Sequence, residues 1–317
     1  MMNIQENVLL SKHTTFRLGG PARFFVEVKS VDELKEALDF AKSKKLDFFI
    51  LGGGSNLLVA DVGFAGLVVK MKITDYAPQV IGNKRGASVG AGMPLARIVN
   101  EAAREGWQGL EWATGIPGTV GGAIRGNAGA YGGEMKDVIE SVTVLDAKSG
   151  EIKEISGSDC NFSYRESRFK TEPHIVIFSA KLKFESGNST ELQKKMKDIL
   201  SERRGKSLHA GGSAGSYFIN PVIENADLIS DFERETGKIS KGGKVPSGWL
   251  IEKSGLKGKK IGGAMVSSEH ANYIVNTGTA TADDIIMLDS LVKQQVRDKF
   301  GVQLREEVQY LGFNQIT

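Results

Sequence analysis

The sequence predicts an α+β fold of two or three domains, and three observations predict it. Short apolar runs that alternate like strands are interleaved with amphipathic stretches of helical period along the whole chain. The length, 317 residues, is enough for more than one hydrophobic core. Glycine is in excess, with 39 residues against 7 prolines, and it gathers where apolar runs end, which marks turns and ligand loops rather than disorder. There is no fixed-period repeat and no low-complexity tail.

The first ordered feature is Thr15 to Val28, TFRLGGPARFFVEV, in which a Gly19-Gly20-Pro21 turn separates two strand-like runs. A helix follows: Ser30 and Glu33 form a capping-box pattern, and Val31, Leu34, Leu38 and Ala41 share one face up to the basic end at Lys44 and Lys45. Phe48-Phe49-Ile50-Leu51 is a short apolar strand that runs directly into Gly52-Gly53-Gly54-Ser55-Asn56. A strand at Leu67 to Met71 and an extended region to Val89 lead to GAGMPLARIVNEAAREG, where Pro94 suits the first turn of a helix ending near Gly106. GAGMPL lacks the third glycine of a dinucleotide fingerprint and a matching acidic residue downstream, so it reads as strand, turn and helix.

Gly115 to Gly133, GIPGTVGGAIRGNAGAYGG, holds eight glycines in nineteen residues and almost no charge. Beyond it, Ser141 to Asp146 and Glu151 to Ile155 are strands joined by a turn at Ser149-Gly150. Cys160 to Lys170 is a compact polar and aromatic segment, His174 to Phe184 alternates like a strand, and a lysine-rich helix spans about Thr190 to Arg204. RRGKS, Arg203 to Ser207, resembles the tail of a phosphate-binding loop, but Leu200 stands where that loop needs glycine, which argues against an ATP site. The last third reads as a separate unit opened by GGSAGSYFINP, Gly211 to Pro221. It continues with a short helix within Pro246 to Gly255, strand pieces between Ile261 and Asn276, and a long amphipathic helix from Thr281 to Phe300. Thr281 and Asp284 start that helix and Gly301 ends it. LREEVQYLG, Leu304 to Gly312, is a strand that puts Glu306 and Glu307 on opposite faces.

Charge and cysteine usage bound the function. Lys plus Arg (41) barely exceeds Asp plus Glu (38), and the net charge of +3 is spread along the chain, so no nucleic-acid partner is expected. The one cysteine, Cys160, excludes an internal disulfide and reads as a buried small hydrophobe. His13, His174, His209 and His270 have no metal-ligand spacing, and no metal is expected. The N-terminal stretch lacks a basic start with a sustained apolar run, and no window is long and apolar enough for a span, so the expectation is a cytoplasmic protein with no membrane partner, and a monomer.

The two glycine-rich elements carry the first chemical signal. Glycine admits positive φ and lets main chain approach a ligand without a Cβ in the way. The amides of Gly53 to Asn56 can cradle a pyrophosphate, with Ser55 and Asn56 adding neutral donors. The two elements lie about sixty residues apart and each follows an apolar element, an arrangement able to hold the two ends of one extended cofactor.

Seven patterns then occur in order: TFRLGGPA, LGGGSNLL, GIPGTVGGAIRGNAGAYGGE, FSYRESRFK, SAGSYFINP, GWLIEKSGLKGKKIGGA with SSEHANYIVN, and LREEV. Together they cover nearly the whole chain, and in this order it resembles the UDP-N-acetylenolpyruvoylglucosamine reductase (MurB) family of peptidoglycan synthesis. The resemblance implies an FAD-binding fold of the vanillyl-alcohol-oxidase (PCMH) type, with FAD-binding subdomains at 1–72 and 73–204, an α+β substrate-binding domain at 205–302, and a strand at 303–317 returning to the active site. It implies non-covalent FAD, NADPH as co-substrate, and a nucleotide-sugar substrate. The resemblance also implies the reaction, in which NADPH reduces FAD and hydride from flavin N5 then adds to the vinyl carbon of the enolpyruvyl ether, giving UDP-N-acetylmuramate. The implied FAD contacts are Gly52, Gly53, Gly54, Ser55 and Asn56, together with Gly115, Ile116, Pro117, Gly118, Gly121, Gly122, Ala123 and Asn127.

The same resemblance assigns the chemistry. Hydride addition leaves negative charge at the carbon bearing the carboxylate, so the site needs a polarising clamp and a proton donor. Arg165 in YRES matches the carboxylate-polarising arginine, a role suited to a planar bidentate fork, and Ser216 in SAGSYFINP matches the proton donor. Glu307 matches the second polarising group because it directly precedes Val308; by pattern alone either Glu306 or Glu307 fits a solvated strand charge. Tyr164 and Asn220 match substrate contacts, and each also fits a packing or turn role. Ile219 departs from the family pattern, which has a lysine near the substrate diphosphate; Lys253, Lys259 and Lys260 are candidates to compensate. The short span after Arg165 points to the shorter subclass, without a tyrosine-bearing loop. Two rival readings are an FAD-dependent oxidase of the same fold and a nucleotide-sugar binding protein without turnover.

Overall fold

Ser30 accepts the Glu33 N–H at 3.2 Å, and the Glu33 carboxylate accepts the Lys29 N–H at 2.6 Å, so the helix Val31–Ser43 begins where its cap residues stand. The structure, a computed structural model, describes residues 2–81, 84–204 and 212–313. Gly205 to Ser207 of RRGKS, together with His209 and Gly211, lie outside the described residues. The described chain forms two compact units that interleave in sequence. One comprises Met1–Val8, Ala22–Gly54 and Ala65–Gly205; the other comprises Leu9–Pro21, Ser55–Phe64 and Lys206–Thr317.

The first unit carries two sheets over one apolar core. A four-stranded sheet runs in the order Gln5–Leu9, Pro21–Val28, Phe64–Met71, Phe48–Leu51, the last two parallel with Phe48 opposite Leu67. The second sheet is antiparallel, in the order Ile152–Ser156, Ile139–Asp146, Ile175–Ser186, Lys84–Gly90, Tyr76–Ile81, with Trp107–Gln108 pairing at the end of Ile175–Ser186. The hairpin expected around Ser149-Gly150 is there, with Ser141 opposite Ser156. The helix after Pro94 spans Leu95–Arg104 and buries Leu95, Ile98, Val99, Ala102 and Ala103, the i, i+3, i+4, i+7 stripe of its sequence. Cys160 is buried, donates to the Ser156 carbonyl at 3.3 Å, and has its thiol pushed up to about 11 by burial, which keeps it unreactive.

The second unit has its own core, built on Phe16, Tyr217, Phe218, Leu250, Ile274, Ile285, Leu288 and Val292 among others. Its sheet runs Gly212–Ser213, Ile274–Asn276, Ala264–Val266, Lys260–Ile261, all antiparallel. The helix Ala282–Phe300 starts on a Thr281–Asp284 capping box and stops at Gly301 with φ +68°. The helix Ser247–Lys253 lies where Pro246 predicts one.

Three expectations are corrected. The run Thr15 to Leu18 is a turn, because Thr14 Oγ1 donates to the Leu18 carbonyl at 3.0 Å and Arg17 takes φ +57°; the strand lies earlier, at Gln5–Leu9. The C-terminal strand is shorter than Leu304 to Gly312: Glu306 makes a single antiparallel bridge to Phe218, and Gln309–Leu311 pairs in parallel with Leu57–Val59. That parallel pairing, with Thr15 Oγ1 donating to Ser213 O at 2.6 Å and Asn276 Nδ2 to Phe16 O at 3.1 Å, draws Leu9–Pro21 and Ser55–Phe64 into the C-terminal unit instead of leaving them with the rest of residues 1–72.

Candidate functional site

The two glycine-rich elements meet. A Cβ on Gly53 would sit 2.6 Å from the Gly118 Cα, so that position requires glycine for backbone-to-backbone contact, and one on Gly52 would sit 2.6 Å from the side-chain Oγ1 of Thr119. At these residues the two elements adjoin as neighbouring walls. The Gly118 carbonyl accepts the Leu95 N–H at 3.0 Å, and the Val120 and Gly121 N–H groups donate to Met93 O and Ala91 O at 2.9 Å each, which locks the loop to the segment before the Leu95–Arg104 helix. Gly115 and Gly118 take φ of +77° and +119°. Lys70, on the strand parallel to Phe48–Leu51, donates to the Gly52 carbonyl at 2.5 Å, and burial lowers its pKa. Because the peptide is trans and planar, holding that carbonyl turns the Gly53 N–H the opposite way and fixes its direction.

Cationic atoms stand ready at the second loop. Arg203 packs its Cδ against Gly115 and its guanidinium over the Tyr131 ring at 5.5 Å. Arg203 Nε and Arg125 Nη1 are buried and make no hydrogen bond among the described residues. Buried guanidinium N–H groups without a hydrogen-bond acceptor fit an anionic group such as a diphosphate.

Asn127, at φ +40° and fully buried, spends its side chain inside the protein. Its Nδ2 donates to Glu134 Oε2 and Ser163 O, both at 2.8 Å, and its Oδ1 accepts from the Lys136 N–H at 3.1 Å. The bond to Ser163 links the glycine loop to the hairpin that carries Arg165. Ser163 and Glu166 exchange main-chain hydrogen bonds of 3.1 Å, leaving Tyr164 and Arg165 at the tip, with Arg165 at φ +59°. That left-handed backbone is costly for a side chain with a Cβ. Arg165 Nη2 donates to Gly129 O at 2.7 Å, and the guanidinium lies 5.2 Å from the Tyr164 ring centroid. Burial pushes the Glu134 carboxyl up, but Lys136 at 3.1 Å, Asn127 and the Arg165 charge bring it below the usual range.

Ser216 and Glu307 lie in the second unit. The Glu307 N–H donates to Tyr217 O at 2.8 Å and the Ile219 N–H to Arg305 O at 2.9 Å, so the segment after Ser216 runs antiparallel to the segment that carries Glu307. Ser216 is half-buried and follows Gly215 at φ +76°. Asn272, which the sequence reading did not single out, clamps Phe218: its Oδ1 accepts the Phe218 N–H at 3.0 Å, its Nδ2 donates to Phe218 O at 2.9 Å, and its own carbonyl accepts the Tyr217 N–H at 2.7 Å. The Glu306 carboxylate is paired with Lys293. Asn220 Oδ1 accepts the Ser247 N–H at 3.0 Å and so caps the helix Ser247–Lys253. Lys253 is paired with Glu235 at 2.6 Å and is a weaker candidate for an added anion than exposed Lys259 and Lys260.

Residues 22–156 match an FAD binding domain, and residues 206–311 match the C-terminal domain of UDP-N-acetylenolpyruvoylglucosamine reductase. The UDP-N-acetylenolpyruvoylglucosamine reductase of Carboxydothermus hydrogenoformans is 38% identical over 309 residues, covering 98% of this chain and 94% of that protein. This chain belongs to the UDP-N-acetylenolpyruvoylglucosamine reductase family. Another member, from Caldanaerobacter subterraneus subsp. tengcongensis, is 40% identical over 306 residues, 96% of this chain and 93% of its own. The crystal structure of the family's MurB from Thermus caldophilus superposes with a TM-score of 0.76 at 33% identity, covering 98% of this chain and all of that one. Both glycine elements fall within the FAD binding domain, and Ser216 and Glu307 fall within the reductase C-terminal domain.

Proposed function

We propose that the protein is the NADPH-dependent reductase that converts UDP-N-acetylglucosamine enolpyruvate to UDP-N-acetylmuramate, a cytoplasmic step of peptidoglycan precursor synthesis. The observation that carries the reading is the antiparallel pairing of the Ser216 and Glu307 segments inside a domain that matches the reductase, which sets a hydroxyl and a carboxylate on neighbouring main chains. FAD held by the glycine loops would supply the chemistry of hydride transfer between NADPH and the vinyl carbon of the substrate.

The residues of the chain do the rest. Gly52 to Asn56 and Gly115 to Asn127 hold FAD, largely through main chain, with Asn127 as the internal tie that keeps the second loop in shape. Arg165 binds the substrate carboxylate and polarises it as charge develops on the adjoining carbon. Glu307 is the second polarising group, and Ser216 delivers the proton that completes the lactyl ether. Tyr164 and Asn220 contact substrate, and Lys259 and Lys260 are the cations proposed for its diphosphate in place of a lysine at Ile219. In this reading residues 1–72 and 73–204 supply the flavin-binding half apart from the two segments that share the C-terminal core, and the protein acts as a monomer.

The test is product identity. Incubation with NADPH and the enolpyruvyl nucleotide yields a nucleotide sugar heavier by the mass of H2, read by mass spectrometry, with one NADPH consumed per product. NADPH oxidation that proceeds equally without the nucleotide and consumes oxygen instead refutes the reading.

A further inference from the structure

The paired Ser216 and Glu307 segments are joined by a polar circuit that the reaction chemistry does not use, with Tyr217 and Asp289 buried and Tyr310, Lys293 and Glu306 partly exposed. Tyr217 OH and Tyr310 OH are 2.8 Å apart, and Tyr310 OH donates to Asp289 Oδ2 at 3.4 Å. With its single proton given to Asp289, Tyr310 accepts from Tyr217, so the donor direction runs from Tyr217 to Tyr310 to Asp289. Asp289 is also paired with Lys293 at 2.8 Å, and Lys293 is paired with Glu306. The ends of this side-chain circuit, Tyr217 and Glu306, belong to the two segments joined by the bond from Glu307 N–H to Tyr217 O. The loop is closed, and each end is the sequence neighbour of a proposed reacting residue: Ser216 precedes Tyr217, and Glu307 follows Glu306.

The circuit is a poor device for stability alone. Asp289 is 2% exposed, and its Oδ1 makes no hydrogen bond among the described residues. An unmet buried acceptor is destabilising, and two carboxylates share one ammonium. Buried polar groups retained at such a cost are best accounted for by what they orient. Asp289 stands on the helix Ala282–Phe300, which buries Ile285, Leu288, Val292 and Val296 and gives the circuit a rigid base. We propose that Asp289 is a positioning residue: through Tyr310 and Lys293 it fixes the paired segments that carry Ser216 and Glu307. The proposal rests on the roles given to Ser216 and Glu307 above.

The experiment compares wild type, Asp289→Asn and Tyr310→Phe as flavin-loaded proteins, with the two half-reactions followed separately without oxygen and amide hydrogen exchange measured at Ile219 and Glu307. The expected result is re-oxidation by the enolpyruvyl nucleotide slowed roughly ten- to a hundredfold at saturation, KM and reduction by NADPH within about twofold, and faster exchange at both amides. Re-oxidation within about twofold of wild type, or unchanged exchange, overturns the proposal. Equal slowing of both half-reactions also overturns it, in favour of a general structural role. If Asp289→Asn does not fold, Tyr310→Phe, which keeps the ring volume, decides by the same criteria. If wild-type flavin is not re-oxidised by the nucleotide, the functional reading fails, and amide exchange alone decides the positioning claim.

Discussion

Asn56 donates from Nδ2 to the main-chain carbonyl of Glu307 at 3.0 Å, and the Gln309 N–H returns to the Asn56 carbonyl at 3.1 Å. The last residue of the GGGSN turn therefore uses one of its two amide protons to hold the segment of the proposed catalytic glutamate. Asn56→Ala leaves that carbonyl without its side-chain partner, and urea unfolding is expected to show a loss of about 1–3 kcal/mol. FAD affinity, measured by flavin fluorescence, is expected to change by less than about threefold, with re-oxidation by substrate slowed more. Loss of FAD affinity as the leading effect would assign the Asn56 side chain to the cofactor instead.

Gly53 and Gly118 share a contact that no side chain fits. Gly53→Ala puts a methyl group 2.6 Å from the Gly118 Cα, and forcing such an overlap costs about 1–3 kcal/mol. The expected outcome is weaker FAD retention on gel filtration and a lower Tm in both the flavin-loaded and flavin-free protein. Lys70→Met, which releases the Gly52 carbonyl, should weaken FAD with a smaller change in flavin-free stability. A Gly53→Ala protein that keeps full flavin content would count against the adjoining-wall arrangement.

Arg165 holds a left-handed backbone at φ +59°. Glycine relieves this at about 1–2 kcal/mol relative to alanine at the same position, and both substitutions lose the bond to Gly129 O. Arg165→Gly should therefore be more stable than Arg165→Ala by that amount in urea unfolding, while neither is re-oxidised by substrate at more than about a hundredth of the wild-type rate. Equal stability of the two variants would mean that the tip relaxes to an ordinary conformation.

Burial pushes the Asp289 carboxyl up from 3.8 to about 7, with Glu306 adding to the rise and Lys293 opposing it. The charged and titratable groups around it are Lys293, Glu306 and Tyr310, with Tyr217 beyond. Since the folded chain keeps a proton that the unfolded chain releases between about pH 4 and 7, the contribution of this group is complete below about pH 4 and lost as pH rises to about 7. Relative to Asp289→Asn, wild type should lose up to a few kcal/mol across that range. Parallel stability curves for the two proteins between pH 4 and 8 would show that Asp289 is ionised throughout.

Local signals in the sequence were read where the physics is local. Thr281, Asp284 and Gly301 bound their helix to the residue, because a capping box and a left-handed glycine act within a few residues of themselves. The helix Ala226–Thr236 carries the same kind of marks, an Asn225 cap and Gly237 at φ +68°. What stayed hidden depends on contacts distant in sequence. Nothing around Leu57 announces a parallel partner at Gln309, and nothing around Lys70 announces the Gly52 carbonyl. Asn272 looked like any residue of a turn until its amide was seen on both polar groups of Phe218. The glycines of the two loops were legible as backbone that must be approached closely, but that they approach each other is a property of the folded chain.

Anaerobic flavin absorbance tests most directly whether an enolpyruvyl nucleotide re-oxidises a flavin held by these loops with Ser216 supplying the proton. Wild type should be yellow, bleach on addition of NADPH, and recover its colour when UDP-N-acetylglucosamine enolpyruvate is added, while Ser216→Ala bleaches normally and does not recover. Wild-type flavin that stays bleached in the presence of the nucleotide and regains colour only with oxygen would contradict the account.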